Sequence, residues 1–390
     1  MKISILVSDL SSAGAGRWGG GSVRSFLLAQ ALQKLNYQVE ILGFVFGEAA
    51  AIIPQSEIQV NHFVGYNYPK FLISASGLLK KLDGDIIYAM RPKSTTFGLA
   101  LLKKFQTNRP VILDIDDWEL SWYGGEKWQY QASIKQLYRD ILKSDGALRQ
   151  PDHPFYLKIM EGMTPKADAI TIHTKFLQKR FGGIYLPNGK DTELFNPHHY
   201  DSEASRICYG LSGYRILMFP GAPRPYKGVE DVLMALELLN EPDLRLVIVG
   251  GSPYDDYDAQ LSAKWGRWII KLPKYPPTEM PKIVAAAHIV VVPQRNTPAA
   301  LAQFPLKLTD GMSMAKPILA TRMGDMPEIL GGTGYLVEPE SPEQIATTIK
   351  LIFRDLDVAN QNGVKARERC VDKYSINSMS AILESVINNL

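Results

Sequence analysis

Short runs of apolar, often β-branched residues alternate with amphipathic helical periods along this chain, and the pattern starts afresh near residue 215. Residues 3–7 read as a buried strand. A glycine-rich loop follows, then an amphipathic segment at 23–35 and a second strand at 39–46. That β-loop-α-β order requires a parallel sheet with crossover helices. Further strands are predicted at 86–89, 111–115 and 169–173. After a turn-rich stretch, 187–213, the series resumes with strands at 215–219, 244–249, 289–292 and 318–321, a helix over 228–239 and the end of another at 311–316. Two such units in succession predict an α/β protein of two Rossmann-like domains facing across a cleft, with ligand at the carboxyl ends of the strands. The final segment, 375–390, has helical apolar spacing through Ile376, Met379, Ile382, Leu383 and Ile387.

A chain of 390 residues exceeds one ordinary core, and 46% hydrophobic with 21% charged residues is the composition of a globular protein that can bury two. A net charge of only +3 implies no broad field for nucleic acid, so no nucleic-acid partner is expected. Cys208 and Cys370 stand far apart with no ligand-like spacing, which argues against a zinc site or disulfide framework and favours a reducing compartment. The first apolar run is short and broken by Ser8 and Asp9, so it reads as a strand rather than a leader. No apolar stretch is long enough to span a bilayer. A cytoplasmic location is expected. Segment 70–82 mixes apolar residues with Lys70, Lys80 and Lys81, as helices at the inner membrane face do, although this composition more often marks an amphipathic core helix. The segment 118–165, rich in aromatics and charge, fits no simple pattern.

Three strand-to-helix turns carry residues suited to anion chemistry. The loop 14–22 contains Gly20 and Gly21, whose missing side chains let backbone approach a ligand at a helix N-terminus. It is too long for a dinucleotide G-x-G-x-x-G. In 220–228, Arg224 offers a guanidinium fork and Lys227 a point charge for a diphosphate, if they are not simply solvated cations. In 299–311 the chain should enter a helix near Pro305, so amides around Phe304 and Leu306 would face an anion. Lys307 and Asp310 share one helical face there, either as an ion pair or with Lys307 on phosphate and Asp310 accepting from a ribose diol. Asp114, Asp116 and Asp117 invite a metal reading, but strand alternation separates the first two from the third. His173 ends a strand and either faces the cleft or is a satisfied structural residue.

The run Pro187-Asn188-Gly189-Lys190-Asp191, with Phe195 and Pro197, closely resembles the P-N-G-x-D-x-x-x-F-x-P linker of retaining GT-B glycosyltransferases of family four. Lys227-Gly228 with Leu233 and Ala235 looks like that family's K-G-x-x-x-L-x-x-A element. Residues 310–321 are similar to its E-A-M-A-x-G-x-P-V-I-A-T run, and 324–329 and 334–337 fit its ending. The resemblance implies an acceptor-binding domain over 1–190, a nucleotide-sugar domain over 205–372 and a final helix, 373–390, crossing back to the first. It also implies transfer of a hexose from a UDP- or GDP-sugar to a glycan or lipid-linked acceptor, in cell-surface polysaccharide synthesis. The implied chemistry needs no metal and no cofactor beyond the sugar nucleotide.

Residue by residue, the resemblance places Lys227 at the diphosphate and Asp310 at the ribose, with Gly20 and Gly21 approaching the phosphates. Ile270, within 268–273, would line the base. Three departures stand out. The first acid of the family's E-x7-E falls on Ala302, and the pattern around Lys307 looks like a branch with P-x-K-x-x-[DE] in its place. The family's arginine five residues before the lysine falls on Ala222, so Arg224 must act from a shifted position. Asp116 stands where relatives carry a histidine. Arg224, Lys227, Asp116 and His173 are thus the catalytic candidates. The missing acid keeps open a catalytically silent sugar-nucleotide-binding protein. A dinucleotide oxidoreductase is disfavoured by the glycine spacing.

Overall fold

The computed structural model describes residues 1–11, 21–47, 58–251 and 255–390, with the side chains of residues 21 and 22 left aside. Gly20 and most of the glycine-rich loop lie outside the described residues. Gly21 opens the helix Gly21–Lys34.

The chain divides into two compact units, residues 1–188 with 379–390, and residues 189–378. The first contains β1 (Lys2–Val7), β2 (Gln38–Phe46), β3 (Gln59–Gly65), β4 (Ile86–Met90), β5 (Val111–Ile115), β6 (Ala169–Ile172) and β7 (Ile184–Tyr185). They form one sheet in the order β3-β2-β1-β4-β5-β6-β7, every neighbouring pair parallel. The second holds β8 (Arg215–Pro220), β9 (Leu244–Val249), β10 (Ile269–Leu272), β11 (Ile289–Val292), β12 (Ile318–Thr321) and β13 (Tyr335–Val337), also all parallel, in the order β10-β9-β8-β11-β12-β13.

Parallel strands are covered by helices on both faces, which is why their sequences are continuous apolar runs rather than alternating ones. All residues of β4, β5, β11 and β12 are buried. Val, Ile and Leu dominate there because branched side chains pack well on a pleated surface. In each sheet the strand order reverses once, between β1 and β4 and between β8 and β11. At such a reversal adjacent crossover connections leave toward opposite faces, which opens a crevice at the carboxyl ends.

The turn-rich stretch after residue 187 starts the second unit. Lys190 N–H donates to the Tyr374 carbonyl at 2.7 Å, and Ile376 N–H returns to the Lys190 carbonyl at 3.0 Å. The last helix, Ile376–Asn388, enters the first unit from Met379 onward, where Ser380 Oγ donates to the Ala31 carbonyl at 2.8 Å.

Segment 70–82 forms the helix Phe71–Lys81, which buries Phe71, Ala75 and Leu78 and leaves Leu72 and Ile73 exposed. The strand β5 stops at Ile115, so alternation places Asp114 only; Asp116 and Asp117 lie in the turn beyond it. The aromatic segment folds as the 3-10 turns Glu119–Tyr123 and Gly125–Lys127, then the helices Ile134–Leu142 and Pro154–Gly162.

Candidate functional site

In the second unit, three segments converge at the β8/β11 reversal. From Pro220 the chain passes Gly221, then the 3-10 turn Pro225–Lys227, then Gly228 with φ of 68°, which starts the helix Val229–Leu239. A Cβ on Gly228 would lie 1.9 Å from the Pro293 carbonyl oxygen, so only glycine lets this turn press against the one leaving β11. Arg295 N–H donates to the Tyr226 carbonyl at 2.9 Å, and Tyr226 Oη donates to Gln303 Oε1 at 3.3 Å. The helix Leu306–Ser313 completes the group: a Cβ on Gly221 would lie 3.9 Å from Lys307 Cε.

These turns gather Arg224, Lys227 and Lys307. Lys307 is buried, its Nζ 4.6 Å from the centroid of the Phe219 ring. Burial pushes its ammonium down to about 8, against the opposing pull of Asp310. Lys227 Nζ donates to the Ala222 carbonyl at 2.9 Å. Burial, then the charges of Lys307 and Arg224, draw Lys227 well below the ordinary lysine range. Among the described residues no carboxylate lies within ion-pair distance of either lysine. Arg224 Nη1 meets Asp255 Oδ2 at 3.0 Å, a half-exposed partner that a ligand phosphate can displace. A polyanion placed among these cations at the carboxyl ends of parallel strands would offset the burial of the two lysines and the repulsion that Lys307 and Arg224 exert on Lys227.

Asp310 does not pair with Lys307. Its carboxylate takes the Lys190 ammonium, whose Nζ lies 3.9 Å from the Phe195 ring centroid. The amides expected to face an anion are partly used: Gln303 N–H donates to the Ala300 carbonyl and Leu306 N–H to that of Phe304, because the chain makes tight turns before the helix. Phe304 is buried against Tyr374, ring centroids 6.3 Å apart, and Leu306 packs on the same core. Ala302 is fully buried. Ile270 lies on β10, at the sheet edge beyond β9, and is part-buried against the core.

The first unit places a dense charge network at its own β1/β4 reversal. Arg24 is almost wholly buried and grips Asp114 through Nε–Oδ1 at 2.6 Å and Nη2–Oδ2 at 2.8 Å, while Nη1 donates to Asn188 Oδ1 at 2.7 Å. Asp116 is held by Arg91 through Nε–Oδ1 at 2.5 Å and Nη2–Oδ2 at 3.3 Å. Burial alone would raise the Asp116 carboxyl, but the Arg91 guanidinium outweighs it and holds it at about 2. Arg91 also donates to Glu119 at 2.7 Å, and Lys93 Nζ reaches the same Glu119 oxygen at 2.7 Å. Arg91 has a positive φ of 66°, uncommon for a side chain this large. His173 is buried, its Nδ1 3.4 Å from Asn188 Nδ2. The sequence signal for Arg91 and Lys93 is the Arg91-Pro92-Lys93 run at the end of a strand; for Arg24 it is one cation inside an apolar helical stripe.

Residues 214–355 match the family model described as Glycosyl transferases group 1. The chain is 26% identical over 238 residues to a GDP-mannose-dependent alpha-(1-6)-phosphatidylinositol monomannoside mannosyltransferase of Mycolicibacterium smegmatis, an alignment covering 57% of this chain and 62% of that protein. It is 28% identical over 212 residues to a D-inositol 3-phosphate glycosyltransferase of Corynebacterium diphtheriae, covering 51% of this chain and 48% of that one. The chain thus spans less than two thirds of each of these relatives. Among solved structures, Anabaena HepE in complex with UDP and glucose superposes over the whole of both chains with a TM-score of 0.75 at 17% identity. The chain therefore has the GT-B fold of two Rossmann-like units, and its residues 214–355 fit the glycosyl transferases group 1 model.

Proposed function

We propose that this protein is a hexosyltransferase that uses a UDP- or GDP-sugar, holds the donor diphosphate in its second unit and transfers the sugar with retention to a glycan or lipid-linked acceptor. The observation that carries the reading is the convergence of Arg224, Lys227 and Lys307 at the β8/β11 reversal, inside the stretch that fits the family model. Names of relatives support the substrate class: one uses GDP-mannose, and the Anabaena structure was solved with UDP and glucose.

In the proposed step the bond between the anomeric carbon and the β-phosphate oxygen breaks, and the acceptor hydroxyl oxygen bonds to that carbon from the same face. The hydroxyl proton passes to the departing diphosphate. Lys227, Lys307 and Arg224 stabilise the charge that grows on the leaving group. Asp310 accepts from the ribose diol, held in place by Lys190. Asp116 and His173 serve the acceptor side in the first unit. No resident metal is required in this scheme, so chelation should leave the rate unchanged.

The test is a thermal-shift screen across UDP, GDP, ADP and their sugars, followed by donor turnover with the donor that stabilises most. Product stereochemistry by proton NMR then decides retention. Tight nucleotide binding with neither hydrolysis nor transfer for any donor would favour the second reading, a silent sugar-nucleotide-binding protein, which the fully buried Ala302 in place of the family acid supports.

A further inference from the structure

Asn188 stands between a guanidinium and an imidazole, and the guanidinium decides which way its amide faces. Arg24 Nη1 donates to Asn188 Oδ1 at 2.7 Å. A guanidinium carries N–H donors and no acceptor, so the amide atom turned toward it is the oxygen. The NH2 group then takes the other edge, where Asn188 Nδ2 lies 3.4 Å from His173 Nδ1. An amide NH2 only donates. His173 Nδ1 therefore offers its lone pair, and the single ring proton of the neutral imidazole sits on Nε2.

The guanidinium is itself firmly anchored. Its Nε and Nη2 hold Asp114 at 2.6 and 2.8 Å, and Nη2 also donates to the Leu186 carbonyl at 3.0 Å. Asp114 takes a further bond from Thr171 Oγ1 at 2.7 Å, which leaves Tyr88 Oη as the donor to Thr171, also at 2.7 Å. Tyr88, Asp114 and Thr171 come from β4, β5 and β6, and Arg24 from the helix Gly21–Lys34. All four are buried, as are Asn188 and His173, so water offers little competition for these bonds. Turning the Asn188 amide over would set its NH2 against the guanidinium and its oxygen against the Nδ1 lone pair, losing both bonds at once.

We propose that Arg24 and Asn188 are positioning residues that lock His173 as the Nε2–H tautomer, so that it serves the acceptor as a hydrogen-bond donor and not as a base. The tautomer follows from the first unit alone, whereas its use in the reaction rests on the hexosyltransferase reading above. A base needs a lone pair facing the proton it takes. In His173 that lone pair is on Nδ1 and already accepts from Asn188, while Nε2 carries a proton to share. His173 and Asp116 each stand one residue beyond the register pair Ile172 and Ile115, at the carboxyl ends of neighbouring strands. The two thus bring opposite groups to one end of the sheet, a ring N–H and a carboxylate. A sugar hydroxyl oxygen accepts from the N–H, and its own proton still passes to the departing diphosphate.

The experiment is NMR of the full, unliganded chain with nitrogen-15-labelled histidine, at about pH 8, where an ordinary imidazole is neutral. Long-range proton–nitrogen correlation separates the protonated nitrogen of each ring from the bare one. The signal missing from His173→Gln assigns this ring among the six histidines. His173 should show a protonated Nε2 and a bare Nδ1. Asn188→Asp keeps a partner for Arg24 but sets an acceptor against Nδ1, so the two nitrogen shifts should exchange. A wild-type ring protonated on Nδ1, or one averaging both tautomers, overturns the proposal even where the variant does not fold. So does an Asn188→Asp ring that keeps its proton on Nε2. The spectrum needs no substrate, so this failure is distinct from a donor screen that finds no nucleotide.

Discussion

The Asp310 carboxylate is paired with the Lys190 ammonium, 120 residues earlier in the chain, and not with Lys307 on its own helix. The pair links the helix Leu306–Ser313 to the first residues of the second unit, both side chains being largely buried. Lys190 therefore fixes the direction in which the Asp310 carboxylate points.

Breaking that pair should separate binding of the nucleoside from binding of the phosphates. Asp310→Asn should weaken UDP about tenfold and leave inorganic pyrophosphate unaffected, as read by calorimetry. Lys190→Ala leaves a buried carboxylate uncompensated and should lower stability by about 3 kcal/mol in urea titration. Equal losses for UDP and pyrophosphate in Asp310→Asn would remove the ribose role.

Lys227→Ala and Lys307→Met should each lower the affinity for a nucleoside diphosphate roughly ten- to a hundredfold, the worth of one charge-assisted contact. Lys307→Met should at the same time stabilise the unliganded protein, because it removes a cation that burial disfavours. Opposite signs for affinity and melting temperature mark a group held for its ligand.

Donor affinity should depend on pH through Lys307. Its ammonium titrates at about 8 in the free protein, and a bound diphosphate raises that value. Affinity for UDP-glucose, whose own phosphates do not titrate nearby, should be constant below pH 8 and fall as pH rises through it. Calorimetry in buffers of different ionisation enthalpy should show proton uptake on binding near pH 8. Stability of the unliganded chain carries the reverse sign. Between about 8 and the ordinary lysine value near 10.4 the unfolded chain binds more protons, so stability rises with pH across that window. Lys307→Met should remove the Lys307 share of both effects and leave that of Lys227, which is also drawn well below the ordinary lysine range.

In the first unit, Arg24→Met should cost about 3–5 kcal/mol, since it strands Asp114 without a cation at the centre of the sheet. Arg24→Met with Asp114→Leu removes both charges and should recover much of the loss, which a double-mutant cycle in guanidinium measures. A double variant no more stable than Arg24→Met would show that hydrogen bonds to Asn188 and Thr171, rather than the charge pair, hold this region.

Most of the strands could be placed from the sequence alone. Continuous apolar runs such as Ile289–Val292 have one stable use, inside a parallel sheet, and Gly228 and Pro305 mark turns whose backbone only a few residue types permit. The edge strand β3 was less legible, because its residues alternate in burial and carry Asn61 and His62. The helix Ile134–Leu142 was equally hidden, since its apolar period is the same whether the stripe is buried or, as here, exposed.

Sequence determined the repeated β-α alternation, hence two parallel-sheet units, and the two cationic turns at residues 224–228 and 304–310, because these rest on neighbours within one helical turn or one strand. Tertiary structure alone decided which charges meet. Arg24 finds Asp114 90 residues away, Asp310 finds Lys190 and Arg224 finds Asp255, each after strand order has brought distant segments together. The physical reason is range: period and turn chemistry act between residues a few positions apart, whereas an ion pair is selected by whichever partner the finished sheet places within about 4 Å.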